Sequence, residues 1–258
     1  MRKSRKALIA GLALACLLAV SGQAQQPPAT RNPWADHETK TQASVVPLDS
    51  MDGLEVQNIR EDGVDPMKST VDIATYQGRR ALRVVDDPGL TADGDGAGGQ
   101  VLAIVQNSEF RDGTIEVDVV GLPRQGAAPG TPAFVGIAFR LQDHGDRFEG
   151  FYLRPGNSRR DDQLRRNHTT QYIAWSDFPW QRLREESPGL YESYANLEPG
   201  AWTRIKVVVA GTKAKLYVNG ADQPCLIVND LKMGDTHGQV ALFVGSDTEA
   251  YFSNLAIR

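Results

Sequence analysis

Side chains suited to binding a polyhydroxyl ligand are concentrated between residues 154 and 194. Seven arginines and no lysine lie between residues 154 and 184, and six of the 23 residues from 172 to 194 are aromatic, against 7% of the whole chain. The flat guanidinium fork suits sugar hydroxyls and carboxylates, and an aromatic ring offers a platform for the C–H face of a sugar. The alternative is a long loop held by its own ion pairs and aromatic packing. We predict a substrate-binding site made of Arg140, Arg154, Asn157, Gln163, Arg166, Asn167, Gln171, Tyr172, Trp175, Trp180 and Tyr191.

Glu149 is the first candidate for proton transfer, because it lies on a predicted strand directly before this segment. If Leu141 faces Phe148 across the predicted hairpin, then Arg140 faces Glu149. A nearby guanidinium would hold the carboxyl ionised, so that it could act as a base. The alternative is a cross-strand ion pair on a solvated sheet face, which would contribute little.

His168 and Glu192 are the other two catalytic candidates. A histidine titrates near neutral pH and can transfer protons, and Glu192 lies between two tyrosines of the aromatic stretch. For His168 the alternative is a loop residue with a structural hydrogen bond. Asp161 and Asp162 resemble paired carboxylates. Adjacent residues of an extended segment point to opposite sides, however, so we expect surface acids there.

Motifs for metals and nucleophiles are sparse. The calcium-like segment Asp93-Gly94-Asp95-Gly96 has Ala97 at the third ligand position of the loop pattern. We therefore expect no cofactor, with calcium as the alternative. The sequence has no Gly-x-Ser-x-Gly and no phosphate-binding loop, which argues against a serine hydrolase and an NTPase. Cys225, which precedes three apolar residues, is interpreted as a buried small apolar side chain.

The elements that must position these side chains are short strands between glycine-containing turns. Ile205, Val207 and Val209 share one face of a strand, and the turn that follows predicts a hairpin with residues 213–218. Many such strands, with no convincing amphipathic helix, predict an all-β, two-sheet antiparallel jelly-roll sandwich. The predicted strands are residues 70–75, 81–85, 101–105, 113–120, 133–141, 148–154, 171–174, 204–210, 213–218, 239–244 and 250–257.

Seven short segments in and around the predicted strands have sequences that are typical of one group of β-sandwich domains. They are DGTIEVDV at 112–119, VGIAFR at 135–140, FEGFYLRP at 148–155, GAWTRIKV at 200–207, LYVNG at 216–220, GQVAL at 238–242 and AYFSNL at 250–255. Together they resemble the concanavalin A-like lectin/glucanase jelly rolls, and in particular the 3-keto-disaccharide hydrolase-like domain related to family 16 glycoside hydrolases. The resemblance extends over about residues 50–258. It implies a concanavalin A-like sandwich directed at a carbohydrate.

One departure limits what the resemblance implies about catalysis. Family 16 enzymes are known by Glu-x-Asp-x-x-Glu on one strand, whereas this chain has Glu116-Val117-Asp118-Val119-Val120-Gly121. Because Gly121 replaces the third acid, the family 16 mechanism is not transferred to this chain. We expect Glu116 and Asp118 to lie on a solvated strand face.

The resemblance and the polar segment together predict an exported carbohydrate-active protein, a hydrolase of small glycosides or 3-keto-glycosides. The alternatives are a non-catalytic lectin-like module and a structural or adhesin-type domain. In a 3-keto glycoside the ketone acidifies the proton on C2. Glu149 would remove that proton, Arg140 or Arg154 would steady the enolate, and His168 or Glu192 would protonate the departing oxygen.

The chain begins like a secretory precursor. Four basic residues precede an apolar run at residues 7–20 and small residues at Gly22 and Ala24, which predicts a signal peptide at residues 1–24. Its removal changes the formal net charge from −4 to −8, which argues against a nucleic-acid partner. The run of 14 residues is shorter than the about 20 that cross a bilayer, so we expect no membrane insertion.

We therefore predict a bacterial periplasmic or secreted protein, with a lipoprotein that begins at Cys16 as the alternative. The polar residues 25–44 contain three prolines and are expected to form a tether, and residues 45–258 are expected to form one jelly-roll domain. With Cys16 in the leader, Cys225 has no partner for an internal disulfide.

Overall fold

The computed structural model describes Trp34 and residues 44–60, 63–65, 69–86, 99–142 and 145–258, and Pro33–Arg258 form one compact unit. Within the described ranges, two antiparallel β-sheets and three short helices form this unit. The strands are β1 (Ser44–Val46), β2 (Leu54–Arg60), β3 (Gly63–Asp65), β4 (Thr70–Tyr76), β5 (Arg79–Val85), β6 (Gln100–Phe110), β7 (Gly113–Pro123), β8 (Val135–Gln142), β9 (Arg147–Leu153), β10 (Thr170–Trp175), β11 (Glu192–Ser193), β12 (Thr203–Ala210), β13 (Lys213–Val218), β14 (Leu226–Val228), β15 (Gly238–Val244) and β16 (Thr248–Ile257). The helices are α1 (Pro155–Ser158), α2 (Gln163–Asn167) and α3 (Trp180–Glu186).

Each sheet runs antiparallel throughout the described strands. The first sheet has the order β14-β13-β12-β7-β16-β5-β4, with β1 added beside β16, and the second has the order β11-β10-β9-β8-β15-β6-β2-β3. Apolar side chains of both sheets form one continuous core. In β12, for example, Ile205 and Val207 are buried while Lys206 between them is half-buried. This arrangement confirms the predicted all-β jelly-roll sandwich.

Each of the eleven predicted strands overlaps an observed strand, and the predicted β12–β13 hairpin is present with Ala210 opposite Lys213. The sequence did not predict β1, β3, β11 and β14, which have only two or three residues each, and it also missed the seven-residue β2 between β6 and β3. It also missed α1, α2 and α3 in the segment interpreted as a loop. Helices of four to seven residues show too few turns for an amphipathic period to be recognised.

The predicted register of the β8–β9 hairpin is wrong. Glu149 lies opposite Phe139 rather than Arg140, and the register shifts between Phe139 and Gln142. Arg140 sits in this irregularity with a left-handed φ of 53°. Because a bulge adds a residue to one strand only, the pairing that alternation predicts cannot hold there. The solvated ion pair that was the alternative is also wrong, because Arg140 and Glu149 are both fully buried.

Gly136 allows β8 and β9 to approach each other closely. It lies opposite Tyr152, and a Cβ atom at position 136 would come within 2.1 Å of the Phe151 carbonyl oxygen. Gly150 on β9 is different, because a Cβ atom there would meet its nearest neighbours at 3.4 Å, an ordinary contact. The sheet that carries the candidate site therefore depends on one of these two glycines and not on the other.

Glu116 and Asp118 of β7 lie in an ion-pair network on the first sheet. Glu116 pairs with Arg204 and Arg258 at 2.9 and 3.0 Å, and Asp118 pairs with Arg79 at 2.9 Å. At position 121 a Cβ atom would come within 2.8 Å of a side-chain carbon of the following strand, so the fold has no room for the third acid of the family 16 motif. The expected solvated strand face is wrong, because Asp118 is buried and Glu116 is half-buried in these ion pairs.

Several predictions fall on residues outside the described ranges. These are the signal peptide, most of the tether and the calcium-like segment at 93–97, and they stay predictions. In the described ranges no helix has the length and hydrophobicity needed to cross a membrane. Cys225 is half-buried, and burial raises the pKa of its thiol to about 11.

Candidate functional site

A cavity of about 340 Å³ opens beside the end of β9. Four segments bound it: residues 128–134 before β8, the region of α1 and α2, the beginning of α3, and the turn between β15 and β16. Gly156 brings the first two together, because its N–H donates to Pro132 O at 2.8 Å and a Cβ atom there would lie 2.7 Å from Thr131 O. Its polar lining includes Arg154, Asn157, Arg165, His168, Arg184 and Asp247, and Phe134 and Trp180 supply aromatic surface.

Local sequence explains how α2 and α3 present these side chains. Asp162 begins α2, and its carboxylate accepts a hydrogen bond from the Arg165 backbone N–H at 3.1 Å, an ordinary N-cap. His168 follows the last turn of this helix. In α3 the spacing of four residues places Arg184 above Trp180, with the guanidinium carbon 4.5 Å from the ring centre.

His168, Glu192 and Arg184 form a linked set at the cavity wall. His168 Nε2 lies 3.0 Å from Glu192 Oε1, and Arg184 Nη2 lies 2.8 Å from Glu192 Oε2. Desolvation lowers the pKa of His168, and the Glu192 charge opposes this shift in part. The histidine is therefore neutral at neutral pH, with Nε2–H donating to Glu192 and with Nδ1 left as the basic nitrogen.

Arg154 brings a buried positive charge to the same cavity. It is 4% exposed, and its guanidinium donates to His168 O at 3.0 Å, Gln171 Oε1 at 3.3 Å and Tyr152 OH at 3.0 Å. All three acceptors are neutral groups. Burial lowers the pKa of Arg154, although a guanidinium stays charged in proteins. A partial negative charge on a ligand would therefore be favoured beside it.

Two cavity residues carry buried polar atoms that have no partner among the described residues. Asn157 is 5% exposed; its Nδ2 donates to His168 O at 3.4 Å, but its Oδ1 accepts nothing. The indole Nε1 of Trp180 is likewise unpaired. Because an unpaired buried polar group costs free energy, one acceptor and one donor are left for a ligand or for water.

A second, smaller cavity of about 20 Å³ lies next to the first, and Phe134 and Trp180 line both. Tyr152 and Phe243 form part of its wall as stacked rings, with centres 5.1 Å apart. Ile173, Trp175, Gln100 and Gln181 also line it. Two predicted binding residues, Trp175 and Trp180, thus line this smaller space.

Glu149 and Arg140 do not line either cavity. Glu149 accepts hydrogen bonds from Tyr172 OH and from Met233 N, the latter at 2.8 Å. Arg140 donates to the carbonyl oxygens of Arg111, Gly211 and Gly234 at 2.9, 2.7 and 2.6 Å. Both side chains are fully buried, and burial raises the pKa of Glu149 to about 7. Arg140 and Glu149 therefore have a structural role, because their hydrogen bonds connect β8 and β9 to the turns that contain Arg111, Gly211 and Gly234.

The remaining predicted residues divide into supporting and outlying positions. Gln171 is buried and holds Arg154, so it supports the cavity from behind. Tyr172 belongs to the Glu149 set, and Tyr191 donates to Asp230 Oδ2 at 2.7 Å. Gln163 and Asn167 are exposed on α2 and bond to each other, and Arg166 stacks over the Tyr194 ring. None of these outlying side chains lines the cavity.

Sequence reasoning missed ten of the fourteen residues that line the cavity, among them four with large or charged side chains: Phe134, Arg165, Arg184 and Asp247. Arg184 was one of the counted arginines, and its spacing of four from Trp180 was the available signal. Phe134, Arg165 and Asp247 gave no comparable signal. Phe134 precedes a buried strand, and Asp247 lies in a turn near the other end of the chain, which only the β15–β16 connection brings here.

Residues 50–258 match the family model described as a 3-keto-alpha-glucoside-1,2-lyase-like domain. Since the match covers most of the chain, the protein belongs to this family of carbohydrate-related domains, which confirms the resemblance stated above. No protein of curated function matches the chain's sequence significantly.

Solved structures extend the likeness at the level of the fold. A Bacillus subtilis protein of unknown function with a galectin-like fold is 13% identical, with a TM-score of 0.52, over 85% of this chain and 97% of that chain. The exoplasmic/lumenal domain of VIP36, in its Ca²⁺/Man3GlcNAc-bound form, is 8% identical, with a TM-score of 0.50, over 84% of this chain and 90% of that chain. At these identities the likeness shows the fold alone.

Proposed function

We propose that this domain cleaves 3-keto glycosides in the larger cavity by elimination, with His168 as the base. The observation that carries the proposal is the imidazole at the cavity wall whose Nε2 is bonded to the buried Glu192 carboxylate. An imidazole held in one orientation, and kept neutral by burial, is suited to take a proton from carbon. The family match supports a keto sugar as the substrate class.

The reaction can be written with its protons and electrons accounted for. The C3 ketone acidifies the C2–H bond, and His168 Nδ1 takes that proton while the C–H electron pair forms an enolate. Breaking the C1–O bond then forms the C1=C2 double bond, and the departing oxygen receives the proton from the imidazolium. The products are the free alcohol and an unsaturated 3-keto sugar. Addition of water across the new double bond would complete a net hydrolysis.

Arg154 and Glu192 have supporting roles in this scheme. The buried Arg154 guanidinium, which is bonded only to neutral acceptors, would stabilise the enolate oxygen. Both oxygens of Glu192 are engaged, one by His168 and one by Arg184, so Glu192 acts as a positioning residue. Glu149, the first candidate for the base, lies outside the cavity lining and is replaced in this role by His168.

The second candidate function is a carbohydrate-binding module without catalysis. The unpaired Asn157 Oδ1 favours it, because this atom would accept a hydrogen bond from a sugar hydroxyl whether or not a bond is broken. NMR spectroscopy of the protein purified from cells that express the full chain separates the two. Disaccharides and their 3-keto derivatives report binding by saturation transfer and turnover by new anomeric signals. Product from the keto sugars alone supports elimination, and binding without product supports the binding module. The absence of both binding and product would overturn both functions.

Two substitutions test the assignment of the base. His168→Gln should lower kcat by about 10²- to 10⁴-fold, the usual contribution of a positioned general base. Glu149→Gln keeps the size of the side chain and should leave kcat near that of the wild-type protein. A large loss of kcat in the Glu149 variant, with His168→Gln unaffected, would return the role of base to Glu149.

Export to the bacterial periplasm or beyond is part of the proposal, and it is supported by the basic start and the apolar run at residues 7–20. Cell fractionation and N-terminal sequencing test it. A mature chain that begins at Gln25 supports a signal peptide, and a lipid-modified Cys16 supports the lipoprotein. Recovery of the uncleaved chain in the cytoplasm would overturn export.

A further inference from the structure

The smaller cavity combines aromatic walls with unpaired polar atoms. Three of its lining residues carry a buried polar atom that has no partner in the described part of the chain: Gln100 Oε1, Gln181 Oε1 and Trp180 Nε1. Gln100 is 8% exposed, so this amide is held well inside the protein. Burying three unpaired polar atoms is costly unless something in the cavity bonds to them.

The size of this space limits what can enter it. About 20 Å³ is room for one water-sized group and not for a sugar ring. Phe134 and Trp180 line this space as well as the larger cavity, so the two spaces are neighbours, and a small substituent on a ring in the larger cavity would enter it by passing these two side chains. The substituent has to end in a group of the size of a hydroxyl.

The hydrogen-bonding character of the lining selects among such groups. One hydroxyl can accept from the Trp180 indole N–H and donate to a glutamine oxygen, so it satisfies both kinds of atom. A carboxylate has no proton to donate, and it would face the glutamine oxygens with a negative charge. A hydrogen atom in place of the substituent would leave the three polar atoms unpaired.

We propose that the smaller cavity is a specificity site for the exocyclic hydroxymethyl group of a hexopyranoside bound in the larger cavity. This inference rests on the proposed function, and it adds a substrate preference. The protein should favour a 3-keto glucoside over the corresponding 3-keto xyloside, which lacks the hydroxymethyl group, and over the 3-keto glucuronide, which carries a carboxylate.

The experiment is a comparison of dissociation constants for the methyl 3-keto glucoside, xyloside and glucuronide with the full-chain protein. We expect the glucoside to bind at least about tenfold more tightly than the other two, because the site is built to pair a hydroxyl. Saturation transfer from the protein should be strongest at the two C6 protons of the glucoside. Both readouts are independent of turnover.

Gln181→Leu removes one acceptor from α3 while it keeps a similar size, and it should weaken glucoside binding and leave xyloside binding unchanged. Glu185→Leu, an exposed position on the same helix, is the matched control and should leave the preference intact. Gln100→Leu tests the second acceptor from a different element. Equal binding of the glucoside and the xyloside by the wild-type protein would overturn this inference and would mean that ordered water occupies the smaller cavity. The proposed function would not be affected by that result. Binding of none of the three sugars would overturn the proposed function as well.

Discussion

His168 Nε2 and Glu192 Oε1 lie 3.0 Å apart, in side chains that are 13% and 6% exposed. The two residues come from separate elements, since His168 follows α2 and Glu192 lies in β11. Pairing of Gln171 with Glu192 across β10 and β11 fixes one partner, and the last turn of α2 fixes the other. The contact therefore depends on the fold around it as well as on the two side chains.

The titration of His168 should respond in opposite directions to changes in its two charged neighbours. Glu192→Gln removes a negative charge that raises the pKa of His168, so this pKa should fall further. Arg184→Gln removes a positive charge that lowers it, so the pKa should rise. Imidazole shifts followed by NMR against pH give both values. A shift of the same sign in both variants would contradict the arrangement.

Arg140→Met should destabilise the protein by about 3 kcal/mol, because three part-buried carbonyl oxygens lose their donor and Asp112 loses its ion-pair partner. Urea unfolding gives the difference. Arg182→Met is the control on an exposed arginine, and it should change the free energy of unfolding by less than about 0.5 kcal/mol. Similar effects of the two substitutions would mean that the Arg140 hydrogen bonds contribute little.

Glu149 should make the stability of the protein depend on pH. Burial raises its pKa from 4.5 to about 7 in the folded protein, so between these values the folded state holds a proton that the unfolded state has released. The stabilisation is present below about pH 4.5 and is lost as the pH rises through 7, by on the order of 3 kcal/mol. Glu149→Gln cannot titrate, so it should gain stability relative to the wild-type protein between pH 5 and about pH 8. Thermal unfolding at both pH values checks this, and a difference that is constant with pH would count against a raised pKa.

Gly136→Ala should destabilise the second sheet, because the new methyl group would lie 2.1 Å from the Phe151 carbonyl oxygen. Such overpacking costs about 1–3 kcal/mol or more. Gly150→Ala, on the neighbouring strand, places its methyl group in ordinary contact and is the matched control. Chemical denaturation of the two variants should separate them clearly, and equal loss would show that the strands can move apart.

Alternation of side chains was enough to predict the sandwich and most of its strands. In β12, Ile205, Val207 and Val209 are all buried, as the period of two requires, although Val208 on the opposite face is buried as well. The pairing of Glu149 with Phe139, rather than with Arg140, could not be predicted in the same way, because the irregularity between Phe139 and Gln142 shifts the register by a residue. The position of a bulge cannot be predicted from the order of apolar and polar residues.

The composition of the 154–194 segment located part of the candidate site, since Arg154, Asn157, His168 and Trp180 line the larger cavity. It could not separate them from Tyr172 or Gln171, which lie in the same stretch but are buried in other contacts. The other side of the cavity comes from Phe134 and Asp247, which are distant in sequence. The pairing of strands that are distant in sequence brings these residues together, and a single sequence gives little information about which strands pair.

The positions of β15 and β16 have a consequence for biosynthesis. β16 lies between β7 and β5 in the middle of the first sheet, and β15 lies between β8 and β6 in the middle of the second. A ribosome makes β15 and β16 after the strands that flank them, so neither sheet can close until residues 238–257 have been made. We expect both sheets of the nascent chain to stay open until β15 and β16 have emerged from the ribosome, however early the other strands are made.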